Sequence, residues 1–431
     1  MSEIRTIPPQ LTKNEWNALL DHALEKPASY IIRNNNGTIE AINGSTGKID
    51  YSGTDASTVI QSAINALTNG GKIFIKAGTY TFSNTVNINY PNIKIAGEGM
   101  TNTVFIISAT FTGTRLFYVN DVNDTEFDHF RIYGQGAAAG VSGIGTYSNG
   151  NGHTCYIHHV DIYKPTATGI SVGSGFNGIK IDTVRIKDAG TNGIQYNSAS
   201  DSWMSNMEIN GAGTTGVGYS DLLINGGAKL VVVNSWFDFA TYGIRIYGGN
   251  NIQITNCQIE EINQDGISIT DTSYRCTFTN VHVRNVSKTA ANVYSGIDNS
   301  GDQITLIGCS FWDANSKMKY GIKENSAADS CIYIGNRIIG AVTAPAIFSG
   351  TNHIVKQNVG YVTENSGTAV GTGSQQSIAH GCAFTPTKAQ VIVSNIDDGA
   401  NPYLSANPDA TNIYVTAVNG KTFRWEVKYN P

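Results

Sequence analysis

The chain has 431 residues, 47 of them glycine, with 28 Lys plus Arg against 33 Asp plus Glu. A formal charge of −5 and only 14% charged residues leave no basic footprint for nucleic acid. No stretch approaches the roughly 18 apolar residues of a membrane span, and six cysteines in a chain this long do not make a disulfide scaffold.

Residues 1–50 stand apart. The start, Met1-Ser2-Glu3-Ile4-Arg5, has no apolar signal region. The expectations are a cytosolic protein, one released by lysis or an unusual route, one carried on a particle, or a chain that has lost its leader. Thr12 and Glu15 form a capping box that opens a helix over 13–25, with Trp16, Leu19, Leu20 and Ala23 on one face and Pro27 as its stop. A strand pair, 30–32 with 39–42, turns at Asn36-Gly37. An amphipathic helix of this length is marginal alone. This segment is therefore expected to dock on the rest of the chain, on a sister chain or on a larger assembly.

A second helix is predicted over 54–67, placed to close the open apolar end of a stacked fold. It is followed by Gly70-Gly71-Lys72-Ile73-Phe74-Ile75, then Ala77-Gly78-Thr79-Tyr80, then Ile95-Ala96-Gly97-Glu98-Gly99. These residues resemble the entry to the pectate-lyase-like superfamily of right-handed parallel β-helices. There a short helix precedes a first coil of the form Gly-Gly-x-apolar-x-apolar-x-x-Gly-x-Tyr and a second of the form Ile-x-Gly-x-Gly. The resemblance runs from about 55 to 359. It implies an all-β fold, a right-handed parallel β-helix with an N-terminal helical cap. It leaves activity open, because the superfamily holds lyases, hydrolases, epimerases and non-catalytic phage and surface proteins.

The residues that follow support the same architecture independently. Gly-Ile or Gly-Val recurs at Gly143, Gly169, Gly193, Gly216, Gly243, Gly266, Gly296 and Gly321, in steps of 23 to 30 residues. About ten residues before the glycine lies a period-2 pair such as Val160/Ile162, Val184/Ile186, Met207/Ile209 or Val281/Val283. After the glycine strand comes another, such as Ile179/Ile181, Leu230/Val232, Ile252/Ile254, Ile304/Leu306 or Ile332/Ile334. Three such runs per repeat, separated by Gly, Asn, Asp and Ser, give three strands and three turns per coil. Asn234, Asn256, Asn280, Gly308 and Gly335 share one turn position, where left-handed backbone is expected. The asparagines are expected to form a ladder. Ser235, Cys257 and Cys309 share one small inward position, and Cys276 and Cys331 another. Two coils at about 4.8 Å each separate the members of either cysteine pair by about 10 Å, too far for a bridge. Free buried thiols are expected.

After 361 the composition changes. Strands are predicted at 391–393, 413–415 and 423–427, with Asn419-Gly420 as a hairpin turn. The stretches His380-Gly381 to Thr385-Pro386 and Val418-Asn419-Gly420-Lys421-Thr422-Phe423 resemble C-terminal modules of viral tail fibres and spikes. The short strands make a small β-sandwich, and the resemblance implies a module that trimerises a spike or binds glycans. The predicted division is an attachment segment 1–50, a β-helix 51–360 and a β-sandwich 361–431.

Alternation fixes which side chains face out. One outward column reads Asp161, Arg185, Glu208, Trp236, Gln258, His282, Ser310; the next reads Tyr163, Lys187, Asn210, Asp238, Glu260, Arg284, Trp312. Asp238 and Glu260 are then neighbouring carboxylates, with Glu208 nearby as a third acid/base candidate for glycoside hydrolysis. Trp236 and Trp312 are candidate sugar platforms, and Arg284 and His282 candidate substrate contacts; Arg245, on a separate wall formed by the Gly-Ile strand with Ser268, Asp298 and Lys323, is a further one. The plainer reading is a solvated wall in which Glu260–Arg284 is a surface ion pair, or one in which the tryptophans lie under a sister chain.

Other motifs carry less. Asn263-Gln264-Asp265-Gly266-Ile267-Ser268 resembles the first element of the polygalacturonase site. The later elements are missing: Tyr294-Ser295-Gly296 stands where an Asp pair is required and Lys319-Tyr320-Gly321 where His-Gly is required. Asp265 is read as a turn residue. Asp298-Asn299-Ser300-Gly301-Asp302 only weakly resembles a calcium loop. His158 and His159, adjacent on one strand, are expected to face opposite sides and so not to share a metal. No cofactor is expected, with calcium the one candidate left open.

The leading expectation is binding of a cell-surface polysaccharide by a tail-spike-like homotrimer, extracellular or on a virion surface, with glycan cleavage in the same groove left open. The alternatives are a free pectate-lyase-like lyase or hydrolase and a non-catalytic structural virion or surface protein.

Overall fold

The computed structural model describes residues 28–149, 154–213, 216 and 218–429; the helix expected over 13–25 and its capping box lie outside them. The described chain winds as a right-handed parallel β-helix of about 11 turns. The period-2 runs become three walls. Gln253–Thr255, Thr277–Thr279, Thr305–Ile307 and Ile332–Ile334 belong to the first. Trp236–Asp238, Gln258–Glu260, His282–Arg284 and Ser310–Trp312 belong to the second. Tyr242–Tyr247, Ile267–Ile269, Ile297–Asn299 and Tyr320–Glu324 belong to the third. Pairing within each wall is parallel, so Trp236 lies beside Gln258, Gln258 beside His282, and His282 beside Ser310.

Inward positions stack into one continuous core. Ile209, Phe237, Ile259, Val283, Phe311 and Ile338 form a single buried file along the second wall. Near the N-terminal end the filling is aromatic: Phe82, Phe105, Phe117, Phe127 and Phe130 pack with ring centroids 4.7–6.3 Å apart. Cys155, Cys257, Cys276, Cys309, Cys331 and Cys382 are free and buried, as expected. At the first corner, Asn234, Asn256 and Asn280 have φ of 52°, 54° and 51°, and Gly308 and Gly335 follow at 63° and 67°. The ladder is present: the Asn280 amide donates to Asn256 Oδ1 at 2.8 Å and the Asn256 amide to Asn234 Oδ1 at 3.4 Å.

The Gly-Ile step opens the third wall, and close approach explains its glycine. A Cβ on Gly243 would sit 2.7 Å from the Gly266 carbonyl oxygen and 2.3 Å from Ile259 Cγ2; Gly169, Gly266 and Gly296 are confined in the same way. One member of the sequence series is displaced. The register places Leu222 beside Ile194 and Ile244, so Asp221-Leu222 occupies the repeat position. Gly216 lies in the preceding loop, where a Cβ would make only an ordinary 3.7 Å contact.

Both ends of the spiral are covered. The helix Ala56–Asn65 is N-capped by Asp55 and buries Ala56, Val59, Ile60, Ala63 and Ile64 in the apolar cluster of the first rungs. The strand Tyr30–Asn35 folds back on Thr38–Asn43 through Asn36-Gly37 and pairs in parallel with Gly71–Ile75. At the other end Tyr429 packs on Phe348 and His353, and its hydroxyl lies 2.8 Å from His353 Nε2. Residues 364–428 form two three-stranded antiparallel sheets. Asn412–Thr416 and Thr422–Lys428 lie in different sheets, so Asn419-Gly420 is a crossing between sheets, not the hairpin turn expected from its sequence. A hairpin signal fixes the local backbone, but pairing is decided by which strand edges are free.

Candidate functional site

The second wall carries the two outward columns predicted from alternation. Glu208, Trp236, Gln258, His282 and Ser310 lie rung by rung in one; Asn210, Asp238, Glu260, Arg284 and Trp312 lie in the other. Parallel pairing holds neighbours in a column about 4.8 Å apart. Trp236 and Trp312 are 44% and 42% exposed. Two grooves run beside them. One, of about 300 Å³, is lined by Gln258, Glu260, His282, Arg284, Ser310 and Trp312. The other, of about 430 Å³, is lined by Glu208, Asn234, Trp236, Asn256 and Gln258 among others. Gln258 borders both.

The two central carboxylates are adjacent but differ in environment. Glu260 is buried and forms an ion pair with Arg284, whose guanidinium also lies 5.8 Å from the centre of the Trp312 ring. Asp238 is also buried, and its Oδ1 has no hydrogen-bond partner among the described residues. Burial, reinforced by the charge of Glu261, lifts its pKa to about 6 against the weaker pull of Lys288 and Arg284. Glu208 is exposed and lies in line with Trp236, in the other column from Asp238.

Asp221 is a residue that the repeat spacing does not point to. It stands at the glycine position of its coil, fully buried. Its Oδ1 accepts the Ala212 N–H at 3.3 Å, while its Oδ2 has no partner among the described residues. Burial raises its pKa far above the usual carboxylate range, and the nearby Asp238 charge adds to this. Nothing in the spacing marks it, because Gly216-Val217, five residues earlier, keeps the Gly-Ile/Gly-Val series intact. Arg245, by contrast, belongs to the third wall. Its guanidinium lies between the rings of Tyr242 and Tyr247, 4.2 and 4.7 Å from their centres, and donates to the Gly218 carbonyl at 2.8 Å. It lines neither groove of the second wall.

The calcium-loop resemblance dissolves into structural bonds. Asp298 binds Lys323 and Asn325, Asn299 is buried against Tyr333, and Asp302 accepts the Asp329 N–H. Asp265 is a buried corner residue whose Oδ1 accepts the Ser295 N–H at 2.7 Å; burial raises its pKa to about 7.

A larger groove, of about 580 Å³, lies on the first wall, bordered by Glu126, Tyr156, Lys180, Asp182 and Trp203, the last 46% exposed. The alternation around Ile179/Ile181 already places Lys180 and Asp182 outward. The adjoining His158 and His159 do not face opposite sides. His159 has φ 49°, at the corner position that asparagine occupies in later coils. This break in alternation brings both Nδ1 atoms to 3.0 Å from each other.

Known proteins share this architecture. Residues 115–300 match a family model described as right-handed β-helix region, and residues 47–135 match one described as rhamnogalacturonase A/epimerase, pectate lyase-like. No curated protein matches in sequence. Among solved structures, the A-module of a mannuronan C-5 epimerase from Azotobacter vinelandii is 16% identical with a TM-score of 0.57, covering 70% of this chain and 96% of its own. The tailspike of the Escherichia coli bacteriophage HK620, in complex with a hexasaccharide, is 12% identical with a TM-score of 0.58, covering 88% and 90%. The enzymatically active domain of tailspike protein 2 of bacteriophage CBA120 is 15% identical with a TM-score of 0.56, covering 87% and 68%. The three-walled coil and its in-register stacking make this chain a right-handed parallel β-helix, similar to the right-handed β-helix model over residues 115–300 and to the pectate-lyase-like model over residues 47–135.

Proposed function

We propose that the second wall binds a polysaccharide, with Trp236 and Trp312 as sugar platforms and Arg284, His282 and Gln258 as polar contacts between them. The observation that carries this reading is the pair of half-exposed tryptophans bordering joined polar grooves on a wall of fixed spacing. Exposed aromatics on an otherwise polar surface mark recognition sites, and the Arg284–Trp312 contact adds a positive edge. The protein works as a homotrimeric surface or virion spike attaching to a cell-surface glycan. The likeness to two phage tailspikes, one of them holding a hexasaccharide, supports that setting.

Cleavage in the same groove is the second reading. One observation favours it: neighbouring carboxyls sit in different environments, Glu260 paired with Arg284 and Asp238 raised to about 6 by burial. A difference of that kind divides acid from base in glycosidases. A glycan array followed by product analysis tests both. Binding of an envelope polysaccharide that falls at least about tenfold in W236A/W312A supports the site. Undiminished binding in that double variant overturns it. Reducing ends that vanish in D238N and E260Q establish cleavage, and their persistence removes both residues from the chemistry.

A further inference from the structure

The cluster on the first wall takes no part in the polysaccharide groove of the second. The repeat itself builds it. Asp128 and His158 are paired on neighbouring rungs at the last outward position of the wall. His129 and His159 follow them at the corner, both left-handed, with φ 57° and 49°. Two dipeptides, Asp128-His129 and His158-His159, are thus stacked one above the other. The rings of His129 and His159 are stacked 4.5 Å apart at 19°.

Three imidazole nitrogens converge on one carboxylate oxygen. Asp128 Oδ1 lies 3.1 Å from His158 Nδ1 and 3.7 Å from His159 Nδ1, and those two nitrogens are 3.0 Å apart. His129 Nδ1 contacts the same oxygen. A tetrahedral ion held at about 2.0–2.2 Å by nitrogen and oxygen ligands sets its donor atoms about 3.3 Å apart, and this triangle has those dimensions. Lys94 approaches Asp128 through the other oxygen, Oδ2, at 3.6 Å, and pairs with Glu126. It leaves the converging face to the imidazoles. Glu126 Oε1 in turn lies 2.8 Å from His158 Nε2, an outer carboxylate that orients the ring so that Nδ1 faces Asp128. Imidazole with a carboxylate selects borderline transition metals such as zinc, whereas calcium takes oxygen ligands throughout.

We propose that Asp128, His158 and His159, with His129 stacked beside them, form a binding site for one divalent transition-metal ion, at the rim of the first-wall groove. The test uses the full chain, stripped with a chelator, dialysed and titrated with zinc chloride by calorimetry and with cobalt chloride by visible absorption. One ion per chain is expected, with affinity falling at least about tenfold in D128N and H159N. Asparagine tolerates the left-handed corner, so H159N keeps the backbone it replaces. D201N, in the exposed pair with Lys229, keeps wild-type binding. X-ray absorption of the cobalt-loaded wild type gives a readout that needs no variant, and imidazole scattering is expected. Absence of binding by the wild type, wild-type affinity in both ligand variants, or an oxygen-only shell each overturns the proposal.

Discussion

Burial holds the Asp238 carboxyl near pKa 6, above the value of about 3.9 for a free aspartate. The folded chain therefore keeps this proton to higher pH than the unfolded chain does. Between about pH 4 and 6 the folded state binds more protons, so this group makes stability fall as pH rises through that window. Below it the contribution is fully present; above it about 1–3 kcal/mol is lost. An asparagine has the shape of the protonated acid and no charge to desolvate. D238N is therefore expected to melt like wild type at pH 4 and above it at pH 8. A difference in melting temperature that does not grow across that range would show that Asp238 is solvated and ordinary. Asp221 and Asp265, also raised by burial, tilt the wild-type curve in the same direction, so the comparison must be between variant and wild type.

At the scale of the strand, the glycine that opens the third wall is set by the carbonyl of the next rung. An alanine at Gly243 meets Gly266 O at 2.7 Å and Ile259 Cγ2 at 2.3 Å, and the tightly packed core cannot move away from it. G243A is expected to cost about 1–3 kcal/mol, while G216A stays within about 0.5 kcal/mol of wild type. Denaturant unfolding of the two proteins checks this; equal losses would refute the register that sets Gly243 against Gly266 and leaves Gly216 in a loop. The pair also shows how far sequence carries the fold. Periodicity fixes the coil, the walls and the two outward columns, because a β-helix repeats its backbone and period-2 alternation needs no tertiary information. It fails where a coil departs from the repeat. Gly216 matches the dipeptide but lies in a loop, and Asp221 fills the wall without matching. His159 breaks alternation through a left-handed corner, so two neighbours predicted to diverge instead converge. The burial of Asp238 cannot be read from spacing, whereas the place of Arg245 can: two residues after Gly243, it falls on the Gly-Ile wall with Ser268 and Asp298.

At the scale of the molecule, the first wall changes character along its length. Toward the N-terminal end its outward positions are Lys94, Glu126, Asp128, Tyr156, His158, Lys180, Asp182 and Trp203. Further on they become Gln253, Thr255, Thr277, Thr279, Thr305, Ile307, Ile332, Ile334 and Ile354, with Lys356 the one charge. Ile307 and Ile354 are 43% and 38% exposed, with the half-buried Ile332 and Ile334 between them. The isoleucines occupy three successive rungs, an apolar patch about 10 Å long at about 4.8 Å per rung. Single exposed isoleucines are ordinary on a soluble protein, but isoleucines clustered on successive rungs mark a contact face. The trimer proposed above supplies an occupant: side-by-side spirals about a common axis would bring the same rungs of each chain together and repeat the contact in a closed ring. The trimer reading thus gains a surface that can be tested. Mass photometry of the wild type is expected to show a species near three times 46.1 kDa. I307D/I354D places like charges against one another at that contact and is expected to run as the monomer with the solenoid intact by circular dichroism. A monomeric wild type would leave the patch unexplained and remove the spike assembly from the functional reading, while the polysaccharide groove on the second wall, built within one chain, would stand.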